Sequence, residues 1–365
     1  VETTKANSNK RRLGQYFTCG NPFHHEAFKR WRRLLPTDDR AVIEPFAGDN
    51  HIVRLAAQAG WLPAWACWDI EPKSQFAEGW AIRRGDSLKN FPGGFRVAVT
   101  NPPYLAKNSA TRRGLEFPTF AHDDLYKVAL DVMLQHCDFV AAVVPESFIT
   151  AGLFHDRLHS VVSLAEPMFH DTEHPVCLAL FVPGKCGDFD VWSGDRLLGP
   201  YSQLKNVLPA APAAHRWKFN ASGGSVGLRA LDNLAGASIA FVSGEEIPGG
   251  DVSGKSRSIT RIAGCPRGME RDVIAAANHW LNRFRERSGD SLLTAFKGLR
   301  RDGLYRRRLD YGTAKKLLDL ALADVKSGRN PSKAFPSRTP TFPKASLPQG
   351  ADWRPLLGGE NHETK

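Results

Sequence analysis

The sequence predicts an α/β protein: an open, Rossmann-like sheet in the first half, followed by a smaller α+β domain. Three observations carry this. Short apolar runs at 41–43, 64–68, 81–84, 95–100 and 139–144 alternate with stretches of helical period, and each ends at a turn bearing Gly, Pro or an acid. From 187 to 266 the apolar segments are short and set among Gly, Ser and Pro, ahead of two helices at 270–287 and 313–326. Finally, residues 1–184 are balanced in charge, so the formal net charge of +11 arises entirely from residue 185 onward.

A chain of 365 residues suffices for one large or two ordinary domains. We place a first domain at 1–184, ending at the break Pro183-Gly184-Lys185-Cys186-Gly187. A basic domain follows at 185–326, then a Pro/Ser/Lys-rich tail at 327–365 that is expected to be disordered. No apolar stretch is long enough for a membrane span or a secretory core. The 6 cysteines have no CxxC spacing, which points to a reducing cytoplasm and away from zinc or a disulfide framework. A basic half joined to a neutral half suggests contact with a polyanion.

Taken in order, residues 1–10 are polar and unpatterned. The segment Gly14-Gln15-Tyr16-Phe17-Thr18 reads as a loop bringing a hydroxyl and backbone groups to a pocket, ahead of an amphipathic helix at 23–35. The first strand runs into Glu44-Pro45-Phe46-Ala47-Gly48-Asp49-Asn50. There the small Ala47 and Gly48 let a ligand approach the backbone, and Asp49 or Asn50 can cap the next helix. Glu44, oddly placed for a core, is placed to meet a cationic ligand. The second strand ends in Asp69-Ile70-Glu71, an acid about 20 residues beyond the glycine turn, where both hydroxyls of a ribose can be accepted. Asp69 fits that role better than Glu71. Asp86-Ser87 follows the third strand.

The fourth strand delivers Asn101-Pro102-Pro103-Tyr104 to the carboxyl edge of the sheet, where ligand crevices of open α/β folds lie. Two prolines hold a stiff, non-helical turn, leaving the Asn101 side-chain carbonyl and the Pro102 backbone carbonyl to face outward. Two acceptors beside an aromatic face suit a planar amino group with two hydrogens, such as adenine N6. Accepting both hydrogens concentrates charge on a nitrogen that attacks a methyl group, an interaction made in the transition state.

Gly-Gln-Tyr-Phe-Thr before the first strand, Glu-Pro-x-x-Gly after it and Asn-Pro-Pro-Tyr after a later strand resemble, in that order, the motifs of gamma-type S-adenosylmethionine-dependent adenine-N6 DNA methyltransferases. The resemblance covers roughly residues 11–182. It implies a Rossmann-like methyltransferase sheet that binds S-adenosylmethionine through Tyr16, Phe17, Thr18, Glu44, Pro45, Ala47, Gly48, Asp69, Ile70, Asp86, Ser87 and Asn101. Thr18 would lie near the cofactor's carboxylate, and Asp86 would accept from its adenine amino group. Asn101, Pro102, Tyr104 and Phe169 would form the catalytic set, with Tyr104 and Phe169 stacking on a flipped base. Pro145-Glu146-Ser147-Phe148 resembles a motif that builds the target pocket.

The loop at 105–122 is basic (Lys107, Arg112, Arg113) and suited to phosphate contacts at the mouth of the site. His155 and His159, spaced i, i+4 in an expected helix, read as surface or capping residues rather than metal ligands; no metal is expected. The segment 253–261 lacks the first Gly of a Walker loop, which excludes nucleotide hydrolysis, but Lys255, Arg257 and Arg261 fit a nucleic-acid backbone. Arg300, Arg301, Arg306, Arg307 and Arg308 form a dense cluster read as neutralising phosphates. The expected partners are duplex DNA and a restriction endonuclease, and the protein is expected to act as a monomer. An RNA amino-methyltransferase and an inactive DNA-binding module remain alternatives. A cytosine-N4 enzyme would usually carry Ser or Asp at position 101, and a protein-glutamine methylase has no need of the basic half.

Overall fold

The structure, a computed structural model, describes residues 20–329 other than 38–40, 73, 113, 118, 165–167, 170–174, 211–214, 234–235, 253, 255 and 297–305. A short 3-10 turn opens it, and α1 (Glu26–Arg32) buries Phe28 and Trp31 on one face; the Trp31 indole donates to the Phe181 carbonyl at 2.8 Å. The strands and helices then alternate: β1 (Val42–Glu44), α2 (His51–Gln58), β2 (Trp65–Asp69), β3 (Phe76–Ala77), β4 (Trp80–Arg84), β5 (Val97–Thr100), α3 (Lys107–Arg112), α4 (Leu125–His136) and β6 (Phe139–Pro145). After β6 the chain makes a 3-10 turn, Glu146–Thr150, and enters β7 (Leu158–Ser163), β8 (Val176–Phe181), β9 (Asp190–Ser193) and β10 (Arg196–Pro200).

These strands form one 10-stranded sheet in the order β10-β9-β7-β8-β6-β5-β1-β2-β4-β3. Its centre, β4-β2-β1-β5-β6, is parallel. Every residue of β1, β5 and β6 is buried, as expected where helices cover both faces of a parallel sheet. From β1 the chain winds outward through β2 and β4, then returns to lay β5 on the other side of β1. That reversal is the topological switch point, and it opens a crevice at the carboxyl ends of β1 and β5. Beyond β6 the sheet is mixed, with β8 antiparallel between β6 and β7. The fold class is therefore the Rossmann-like α/β sheet with a smaller α+β domain.

Two expectations are corrected here. The boundary drawn at residue 184 falls inside the sheet, because β9 pairs parallel to β7 and β10 pairs with β9, while Phe189, Val191, Trp192 and Leu204 join the first core. His155 and His159 do not share a helix: His159 lies in β7, so the i, i+4 spacing has no geometric meaning.

After α5 (Tyr201–Lys205) the chain builds a second core. Strands β11 (Lys218–Phe219), β12 (Val226–Arg229), β13 (Ala240–Ser243) and β14 (Ile259–Ala263) form an antiparallel sheet ordered β11-β14-β12-β13. Helix α6 (Glu270–Ser288) buries Val273, Ala277, Leu281 and Phe284 and ends at Gly289, whose φ of 54° is left-handed. The pair β15 (Thr294–Phe296) and β16 (Arg306–Arg308) follows, and α7 (Tyr311–Lys326) packs on α6, with the Trp280 indole donating to Asp324 at 2.9 Å. Among the described residues, no helix is long and apolar enough to cross a membrane.

Candidate active site

The residues following β1, β2, β4 and β5 converge on one cleft of about 950 Å³. Ala47, Gly48, Asp69, Ile70, Asp86, Ser87, Asn101 and Pro102, all singled out from sequence, line it. The turn after β1 is possible because Gly48 takes a left-handed φ of 53°. Asn50, at φ 56°, occupies the N-cap position of α2 but makes no capping bond; its side-chain amide donates instead to the Ala77 carbonyl at 2.7 Å. Asp69 is 4% exposed and accepts from the Gly48 N–H at 2.9 Å and the Glu71 N–H at 2.8 Å, tying the end of β2 to the turn after β1. A carboxylate so held keeps further lone pairs for a ligand. Asp86 accepts from the Leu88 N–H at 3.1 Å and faces Lys89 at 3.7 Å. Ser87 is 3% exposed and lines the cleft, and its hydroxyl has no hydrogen-bond partner among the described residues.

Glu44 was expected to face a cationic ligand, and the structure places it elsewhere. It is fully buried and is not part of the cleft wall; its carboxyl accepts from the Thr100 hydroxyl at 2.5 Å and the Phe46 N–H at 3.0 Å. Burial pushes it up to about 8, against the two hydrogen bonds, with nearby Asp69 adding to the rise. Glu44 sits beneath the turn, where burial favours its neutral form. Pro45 is buried beside it and also lies outside the cleft wall.

At the end of β5, Asn101 lines the cleft beside Pro102. The Tyr104 hydroxyl lies 2.6 Å from both Asn101 Oδ1 and the Val143 carbonyl oxygen. Its one hydrogen serves one of these acceptors at a time. The Tyr104 ring is 7% exposed and meets Phe169 edge-on, with centroids 6.1 Å apart and planes at 77°; Tyr126 lies edge-on at 6.3 Å. Tyr104 and Phe169 are thus brought together as expected but face each other as a closed pair. A flat ring stacks between them only after they turn.

The first strand-end motif beyond the cleft holds a buried charge. Glu146, 3% exposed, accepts from Ser163 Oγ and pairs with Arg307, whose Nη2 lies 2.8 Å from Glu146 Oε1. Arg307 therefore meets a carboxylate of the first domain rather than solvent. Arg261 is turned inward too, donating to the carbonyls of Ile247 at 2.7 Å and Ser222 at 2.8 Å. Arg308 donates to Thr294 Oγ1 at 3.1 Å, and Arg306 is half-buried in the same strand. Lys107, Arg112 and Arg257 are exposed, the first two on α3 beside the cleft. Tyr16, Phe17, Thr18, Arg113, Lys255, Arg300 and Arg301 lie outside the described residues.

Sequence reasoning missed two features. Leu115, Phe117 and Phe120 close the cleft with an apolar wall, in a loop read only for its charges. Their spacing within the basic stretch was the available signal. The Glu146–Arg307 pair joins positions 161 residues apart, and no local pattern announces it.

No family model matches this sequence, and no curated protein does. Among solved structures, the chain is similar to a modification subunit of a putative type I restriction enzyme from Vibrio vulnificus YJ016, at 15% identity and a TM-score of 0.36, over 53% of this chain and 50% of that one. It is similar to a type I restriction-modification system methyltransferase subunit from Streptococcus thermophilus, at 13% identity and a TM-score of 0.37, over 52% and 50%. A third is a putative class I S-adenosylmethionine-dependent methyltransferase from Listeria monocytogenes, at 11% identity and a TM-score of 0.32, over 49% and 68%. The chain spans about half the length of the first two. Likenesses this distant carry no function, which rests on the chemistry of the cleft.

Proposed function

We propose that this chain is an S-adenosylmethionine-dependent DNA methyltransferase. It modifies N6 of an adenine extruded from duplex DNA at a specific sequence, and works in the cytoplasm as a monomer alongside a restriction endonuclease. The observation that supports this most is the convergence of the Gly48 turn, Asp69, Asp86, Ser87 and Asn101 on one cleft at the switch point. The donor set fits the cofactor. Asp69 retains lone pairs for ribose hydroxyls, Asp86 suits an adenine amino group, and the unpartnered Ser87 hydroxyl and the apolar wall suit a purine. Bound there, S-adenosylmethionine supplies an electrophilic methyl group on a sulfonium.

Asn101 Oδ1 and the Pro102 carbonyl accept the two amino hydrogens of the target base and aim its nitrogen. With S-adenosylmethionine held by Asp69, Asp86 and Ser87, the cofactor would supply the methyl group and keep the electron pair of the broken C–S bond, and the amino proton released at the target nitrogen would pass to water. No general base is required. Tyr104 and Phe169 part to take the base, while Lys107, Arg112 and Arg257 meet phosphates. The test is incubation with tritiated S-adenosylmethionine and plasmid DNA, followed by nucleoside analysis. Label in N6-methyladenine is the expected result. Label in RNA and not in DNA would reassign the basic half to RNA.

A further inference from the structure

Arg307 belongs to both domains. Its carbonyl accepts from the Asp232 N–H at 3.0 Å, and Asp232 is itself gripped by both Nη atoms of Arg285 at 2.9 and 2.8 Å, so the backbone of β16 is fixed within the second domain. Its side chain instead crosses to the first domain and pairs with Glu146, in the 3-10 turn after β6; β15 packs on the same turn. That turn adjoins the Asn101 site by short steps. The next residue, Ser147, neighbours Tyr126, Tyr126 lies edge-on to Tyr104, and the Tyr104 hydroxyl reaches Asn101 Oδ1. Val143, whose carbonyl is the other acceptor for Tyr104, precedes Glu146 by three residues on the same strand end.

We propose that Arg307 is a positioning residue for methyl transfer, holding the second domain in register with the base pocket through Glu146. The inference rests on the methyltransferase reading above. A charged pair is a specific way to fix register, because a displaced guanidinium would leave the Glu146 carboxylate buried and uncompensated. When the second domain seats on DNA, the motion of β16 is delivered to the end of β6 and so to the aromatic rings that must turn to admit a base. A phosphate-binding role for Arg307 is incompatible with this geometry.

Removing one partner alone risks misfolding, so the informative variant is E146Q/R307M, which replaces the pair by neutral groups of similar size. R307K, which keeps the charge but loses the fork, serves as the partial rescue. The set is assayed by S-adenosylhomocysteine binding calorimetry, kcat and KM for labelled methyl transfer, and emission of 2-aminopurine placed at the mapped target adenine. We expect S-adenosylhomocysteine binding within about twofold of wild type, and a fall in kcat of roughly tenfold for E146Q/R307M. Extrusion emission should fall with it, and R307K should lie between. Wild-type kcat and emission in E146Q/R307M, or a loss confined to the KM for DNA, would overturn the inference. Absence of label from wild-type reactions would instead sink the methyltransferase reading itself, and is seen before any variant is made.

Discussion

The two halves of the molecule use their charged residues in opposite ways. In the first, acids are drawn to the carboxyl edge of the sheet, where backbone N–H groups hold Asp69 and Asp86 with ligand-binding capacity in reserve. In the second, guanidiniums fold inward: Arg261 and Arg307, both expected to meet phosphates, turn onto carbonyls and onto Glu146, and Arg285 lies between Asp232 and Asp290. A net charge counts side chains, not directions. It takes the fold to show which cations a polyanion can reach.

The largest effect that would break this contrast is at Asn101. Asn101→Ala should lower the methyl-transfer rate by about 10²–10³-fold, since it removes one acceptor made for the transition state. A variant with a wild-type rate in a single-turnover assay would refute the mechanism. Asp69→Ala should act on the other side of the cleft, weakening S-adenosylhomocysteine binding by roughly 10–100-fold and loosening the turn at Gly48; calorimetry reads the first. Unchanged affinity would remove Asp69 from the cofactor site.

Glu44 provides a test through pH. Its folded value is raised to about 8 from 4.5, so its contribution to stability is fully present below 4.5 and is lost as pH rises through 8. That loss is at most on the order of 5 kcal/mol. Glu44→Gln should therefore flatten the fall of Tm between pH 4.5 and 8; an unaltered slope would mean that the carboxyl ionises without penalty. The smallest effects are expected at the exposed cations. Lys107→Ala, Arg112→Ala or Arg257→Ala should each reduce the salt slope of DNA binding by about 1. Arg261→Ala should leave that slope alone and lower Tm.

The same contrast explains how much was legible beforehand. The cleft residues could be read because strand ends and their turns are local chemistry: an apolar run, a Gly or Pro, an acid or an amide. Doubly winding the sheet then gathers those turns at one edge, whatever the intervening sequence. Side-chain direction over long separations is not local. That is why Glu44 lies under the turn instead of in the cleft, and why Arg307 pairs across domains. β9 and β10 extend the sheet past residue 184 because β7 offers an edge that no residue near the Pro-Gly break reveals. His159 went astray for a simpler reason, a helical period assumed where the chain is extended.

The Tyr104 hydroxyl has a consequence of its own. Poised at equal distance from a side-chain and a backbone oxygen, it can swing its hydrogen from Asn101 to Val143 when another donor reaches Asn101. The arriving hydrogen bond is then gained without an existing one being forfeited, and in that exchange at the hydroxyl only a proton moves. Reception of the guest costs the host no bond. Tyr104→Phe would abolish this exchange and leave the ring in place.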